Sequence, residues 1–216
     1  MAEYNYYILY YMSKGGYFKK FDFDVIKYQS KNQHFFENDC CPCTFNFLHV
    51  ITNEEFINLM LEYGEKGMYT HEIELFFNKK YPEYIFKFIE MELLSHKKGA
   101  GKIIINLFKS IKKGFGMIVI IRRKDGSSHC LIFARDNDNN FAIFDPQVYQ
   151  SYVNGKQVAK YLNDNKVISI DILSSENMYG DSLVLDDENL SEVFYDAETI
   201  PDNYDMDNSL DQFYSF

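Results

Sequence analysis

Between Gly116 and Phe144 the chain carries three short apolar segments separated by two polar turns, and no other feature restricts its fold as strongly. Met117-Ile118-Val119-Ile120-Ile121 is a continuous apolar run. A run this short, rich in β-branched residues, suits a central strand. Lys124-Asp125-Gly126-Ser127 supplies a turn, Ser128–Ala134 a second strand, Asp136-Asn137-Asp138-Asn139-Asn140 a second turn and Phe141–Phe144 a third strand. Connections this short join antiparallel neighbours. A short helix over Gln157–Leu162 and a last strand over Val167–Leu173 follow.

Upstream of these strands the apolar period is mostly helical. A helix should start near Pro42, since proline is tolerated where no helical N–H is needed. Its Phe45, Phe47, Leu48 and Ile51 lie nearly all round, which predicts deep burial. Thr52-Asn53-Glu54-Glu55 reads as an N-cap, followed by Phe56, Leu59, Met60 and Tyr63 at helical spacing and Gly64 as a stop. Thr70-His71-Glu72 reads as another cap, with the helix ending before Pro82, and Gly101–Lys113 as a further helix. Before these, Tyr6–Tyr11 and Tyr17–Tyr28 are strand candidates. Helices followed by an antiparallel sheet predict an α+β fold. The 216 residues suffice for one domain and an appendage.

Charge locates that appendage. The net charge is -10, yet no Lys or Arg follows Lys166, and residues 167–216 hold 13 Asp and Glu. We therefore divide the chain into a domain over 1–174 and an acidic, weakly ordered tail over 175–216. The stretch from Lys97 to Lys113 holds Lys97, Lys98, Lys102, Lys109, Lys112 and Lys113 and no acid, so the tail is expected to dock there. Overall acidity argues against nucleic acid as a partner. No run of about 18 apolar residues occurs, so neither a membrane-spanning helix nor a membrane partner is expected. Nor does the N-terminus read as a secretory signal. Plentiful Lys, Asn, Ile, Phe and Tyr fit an AT-rich genome, as in a virus, a protist or an AT-rich bacterium. Cys40, Cys41 and Cys43 are too crowded for a disulfide framework, which points to a reducing, intracellular setting: the cytoplasm of a host or producing cell, or a virion.

Three pieces carry chemistry. The first, Gln33-His34-Phe35-Phe36-Glu37-Asn38-Asp39-Cys40-Cys41-Pro42-Cys43, sets thiols at the start of a buried helix. Free N–H groups and partial positive charge there favour thiolate and can hold an oxyanion. Gln33 and Asn38 are candidate side-chain donors. The second, Gly126-Ser127-Ser128-His129-Cys130, brings a histidine into a strand directly after a turn. The third ends a strand at Asp145-Pro146-Gln147, 16 residues beyond His129. Two antiparallel strands joined by the 136–140 turn would set His129 beside Asp145, and the acid could orient the imidazole. Cys40 and Cys43 are the candidate nucleophiles, with Gln147 lining the site. Cys130, one residue after His129, should point to the opposite face and serve the core. His34, His49, His71 and His96 read as surface or packing residues.

These pieces, in this chain order, resemble the papain-like superfamily of cysteine peptidases and deamidases. The pattern is similar to compact papain-fold toxin and deamidase domains, which carry Asn-Cys-x-x-Cys, a histidine strand and Asp-Pro-Gln. It is also similar to bacteriocin-processing peptidases, which carry Asp-Cys-Gly-Pro where this chain has Asp39-Cys40-Cys41-Pro42. The likeness spans about residues 30–173. It implies N-terminal helices packed on an antiparallel sheet, a Cys40–His129–Asp145 triad and no cofactor. The implied activity is a cysteine peptidase of deubiquitinase or processing type, cleaving peptide or isopeptide bonds of a protein substrate, ubiquitin-like proteins among them. Alternatives are a glutamine deamidase on the same triad, an inactive interaction or structural module, or a zinc knuckle of Cys40, Cys43 and His49, which lacks a fourth ligand.

Overall fold

The computed structural model describes residues 18–20, 36–93, 100–138 and 140–177. The Tyr6–Tyr11 strand, most of the Tyr17–Tyr28 strand, Gln33, His34, His96, Lys97, Lys98 and the tail beyond Asn177 lie outside the described residues.

Element order is β1 (Phe18–Lys20), α1 (Cys40–Phe47), α2 (Asn53–Tyr63), α3 (Thr70–Lys80), β2 (Tyr84–Glu92), α4 (Ala100–Ser110), β3 (Phe115–Arg123), β4 (Ser128–Arg135), β5 (Phe141–Asp145), β6 (Gln150–Val153), α5 (Gly155–Asp164) and β7 (Val167–Asn177). The fold is α+β. The sheet runs β2-β7-β3-β4-β5-β6, with β1 beside the first residues of β3, and each pairing is antiparallel. No described helix is long and apolar enough to cross a membrane.

The continuous apolar run of β3 has a direct cause. Met117, Val119 and Ile121 belong to one core with Ile104, Leu107 and Phe108 of α4 and Val158 and Leu162 of α5. Ile118 and Ile120 belong to a second core with Phe45 of α1, Leu59 of α2 and Ile73 and Phe77 of α3. Helices thus cover both faces, and a strand buried on both sides cannot alternate with polar residues.

Thr52 caps α2 reciprocally: its Oγ1 accepts the Glu55 N–H at 3.1 Å, and Glu55 accepts the Thr52 N–H at 2.7 Å. Glu55 also pairs with Lys80 at 2.6 Å, joining α2 to the end of α3. The cap of α3 falls at Tyr69, whose N–H Glu72 accepts at 2.8 Å, one residue before the expected Thr70.

Two strands differ from the sequence expectation by being present at all. β2 pairs along its length with β7, and β6 pairs with β5. β7 runs on to Asn177, carrying regular pairing past the expected 174 boundary.

Candidate active site

α1 begins at Cys40, with Cys41, Pro42 and Cys43 in its first turn. The loop ahead of it is pinned from several sides. The Phe36 N–H donates to Asp39 Oδ2 at 3.2 Å, and the Asn38 N–H donates to the Gly64 carbonyl at 3.2 Å. The Asn38 side-chain amide donates to the Glu65 carbonyl. Gly64 has helical φ, so positive φ does not explain the glycine; a Cβ there would collide with the Phe36 ring. The end of α2 thereby fixes where α1 starts. Farther along, Thr44 Oγ1 donates to the Cys130 carbonyl at 3.3 Å, seating α1 on β4.

His129 is the second residue of β4 and Asp145 the last of β5. The register pairs Ile132 with Phe144, which makes His129 and Asp145 diagonal neighbours by alternation. His129 Nε2 lies 2.7 Å from Asp145 Oδ2. Both are buried, at 8% and 4% exposure. With Nε2 engaged, Nδ1 is the ring nitrogen left for the thiol. Asp145 Oδ1 accepts the Gln147 N–H at 3.1 Å.

Electrostatics separate the cysteines. Cys40 sits well below the ordinary thiol range. A hydrogen bond from the Cys41 side chain is the largest influence; burial opposes it, and the hydrogen bond and charge of His129 and the backbone of Cys130 lower the thiol further. Cys41 moves the other way, through side-chain hydrogen bonds with Cys130 and Cys40 and through burial. Cys43 is 0% exposed and also pushed up, first by burial and then by the Asp39 carboxylate. Cys40 is partly open to solvent, whereas the other three cysteines are buried. Burial works against a charged imidazole, yet the hydrogen bond and charge of Asp145, with those of Cys40, push His129 up to about 10. Both shifts favour a thiolate beside an imidazolium over the neutral pair.

Of the sequence-predicted residues, Cys40, His129 and Asp145 come together. Asn38 donates its side-chain amide to the Glu65 carbonyl. Gln147 donates its amide to Asp39 Oδ1 at 2.7 Å and to the Glu37 carbonyl at 3.1 Å, tying the loop after Asp145 to the loop before Cys40. Sequence reading misses that link, because Asp39 and Gln147 are 108 residues apart. His49 is exposed while Cys43 is buried, and no cluster of three potential metal ligands occurs among the described residues.

No family model and no curated protein matches the sequence. Among solved structures, the Pseudomonas avirulence protein AvrPphB aligns with a TM-score of 0.39 and 11% identity, covering 68% of this chain and 96% of that one.

Proposed function

We propose that the chain is a papain-like cysteine peptidase cleaving peptide or isopeptide bonds of a protein substrate, with Cys40 as nucleophile, His129 as general acid and base, and Asp145 orienting His129. One observation carries this reading: the buried His129–Asp145 pair acts on Cys40, the partly open cysteine at the start of α1.

In this mechanism the Cys40 thiolate attacks the substrate carbonyl carbon. The oxyanion is held by the Cys40 N–H at the helix start, which has no helical carbonyl to receive it. The His129 imidazolium gives its proton to the leaving amine, and the C–N bond breaks to leave an acyl thioester. Neutral His129 then takes a proton from water as that water attacks. The acid departs, and thiolate and imidazolium are restored. Asp145 keeps Nε2 occupied throughout, so Nδ1 faces the thiol. Gln147 is a positioning residue, holding the acid's loop to the nucleophile's loop.

The test is reaction of the full chain with electrophilic probes built on ubiquitin and on short peptides, followed by mass mapping. Adduct at Cys40, abolished by His129→Ala, is the expected result. Adduct first at Cys43 or Cys130, or none at any cysteine, refutes the assignment. Ammonia release from a glutamine-bearing protein without chain cleavage would instead establish deamidation.

A further inference from the structure

One pocket is lined by none of the residues of the proposed mechanism. Arg123, Lys124 and Asp125, at the end of β3 and in the turn after it, meet Asp164, Asn165 and Lys166, where α5 gives way to β7, around a space of about 610 Å³. A pocket of this size has room for a ligand larger than a single small ion. Backbone hydrogen bonds tie its two walls together. The Lys124 N–H donates to the Lys166 carbonyl at 3.1 Å, and the Arg123 N–H closes the turn on the Ser127 carbonyl at 2.8 Å. Lys124 and Lys166 are thereby held as neighbours although 42 residues separate them in sequence.

Charge decides what such a pocket can hold. Both of its carboxylates are engaged locally. Asp125 Oδ1 accepts the Ser127 N–H at 2.9 Å and the Ser127 hydroxyl at 2.7 Å, and Asp164 Oδ2 pairs with the Lys160 ammonium at 2.6 Å. The carbonyl end of α5 is covered too. The Tyr161 carbonyl accepts the Asn165 N–H at 3.1 Å and its side-chain amide at 2.9 Å, and the Asn163 carbonyl accepts the Lys166 N–H at 2.9 Å. The cations are not matched in this way. Among the described residues, no carboxylate lies within ion-pair distance of Arg123, Lys124 or Lys166. Arg123 Nε is buried without a hydrogen-bond partner, while Lys124 and Lys166 are exposed. With Lys160 included, the pocket and its rim hold four cations against two carboxylates.

Lys166 also occupies a backbone position that suits other residues better. It follows the C-cap Asn165 with φ of 48°, in the left-handed region that glycine or asparagine usually fills at a helix end. A lysine held there sets a cation beside Lys124 at a cost in backbone strain, and strain of this kind gathers at ligand sites. We propose that this pocket binds a small molecule carrying linked phosphates, with one phosphate between Lys124 and Lys166 and the next on Arg123. The planar guanidinium matches phosphate oxygens two at a time, and the lysines act as point charges on either side. The proposal rests on no residue of the proposed mechanism and stands or falls apart from it.

The experiment is calorimetric titration of the full chain with inorganic pyrophosphate and, separately, with inorganic phosphate, free of metal ions and at one low ionic strength. Pyrophosphate should saturate a single site per chain and bind several-fold more tightly than phosphate. Lys124→Gln and Lys166→Asn should each weaken pyrophosphate binding by about tenfold or more. Asparagine suits the backbone at 166, so that variant should keep its fold, as its urea midpoint will show. Lys112→Gln removes an exposed cation outside the pocket and should leave the affinity unchanged. Absence of saturable binding overturns the site, as does full affinity in both Lys124→Gln and Lys166→Asn. Equal affinity for phosphate and pyrophosphate, or an equal loss in Lys112→Gln, overturns it as well, because either leaves only diffuse attraction of anions to a charged surface.

Discussion

Replacing Cys40 with serine removes one proton linkage while nearly preserving the shape of the site. Cys40 is held well below the ordinary thiol value of 9.0. A group depressed in the folded state contributes stability that is complete above its unfolded pKa and lost as pH falls through its folded pKa. Wild type should therefore gain on Cys40→Ser as pH rises towards 9.0, by at most about 1.4 kcal/mol per pH unit. His129 has the opposite sign. Raised from 6.5 to about 10, its contribution is complete below 6.5 and lost as pH climbs towards about 10. Above 6.5, and from the pH at which folded Cys40 is fully thiolate up to 9.0, the two slopes cancel in wild type. There the folded thiolate–imidazolium pair and the unfolded thiol with neutral imidazole bind one proton alike. The pair's contribution should form a plateau over that window and fall on both sides. In Cys40→Ser the plateau disappears and the fall begins near 6.5. Urea midpoints at constant ionic strength, taken from pH 5 to 10 (both limits approximate, and both inside the span of the linkage), give the two curves. Their difference cancels the titrating groups that Cys40 does not influence and leaves Cys40 with its coupling to His129. A difference that does not change with pH would refute the ion pair.

Three further outcomes follow from named contacts. In Asp145→Asn the amide oxygen can still accept from His129, but the charge is gone; the alkaline limb of Cys40 alkylation by iodoacetamide should move down by about one pH unit, and further in Asp145→Ala. Gln147→Ala removes the amide bonds to Asp39 and Glu37; urea denaturation should show a loss of about 1–3 kcal/mol, and probe labelling should slow while the Cys40 titration stays in place. Gly64→Ala drives a methyl into Phe36; it should cost about 1–3 kcal/mol and slow Cys40 alkylation, whereas an unchanged rate would show that the end of α2 does not position the thiol.

Legibility in the sequence followed from how local each cause was. Thr52 with Glu55 spells a cap within one turn of chain, and the run in β3 announces a strand covered on both sides. β2 escaped because its residues mix buried Phe86 and Met91 with exposed Lys87 and Glu90 in no clean period. It is defined by its partner β7, the last described strand. β6 is four residues of mostly exposed side chains, too short and too polar to stand out. At the site, Cys40, His129 and Asp145 were readable because each sits at an element boundary marked by turn residues. The roles of Asn38 and Gln147 were not: an amide can donate to a substrate or to the chain's own loops, and only the fold decides. Cys130 was read as a core residue and is one, at 1% exposure. That its core is the one beneath α1, against Cys41, depends on how the helix lies across the sheet.

The strand order also bears on when this protein acquires its chemistry. β7 is the last described strand to leave the ribosome, yet it lies between β2 and β3. Until it inserts, β2 has no strand of the main path to pair with, and one long edge of β3 is bare for most of its length. Cys40, His129 and Asp145 have all been synthesised by then, but the sheet that backs them has a gap at its middle. Domains close as units during synthesis. A nascent chain halted between Asp145 and β7 thus holds Cys40, His129 and Asp145 on an unfinished scaffold. On the proposed function, the order of strands defers activity until β7 has been made.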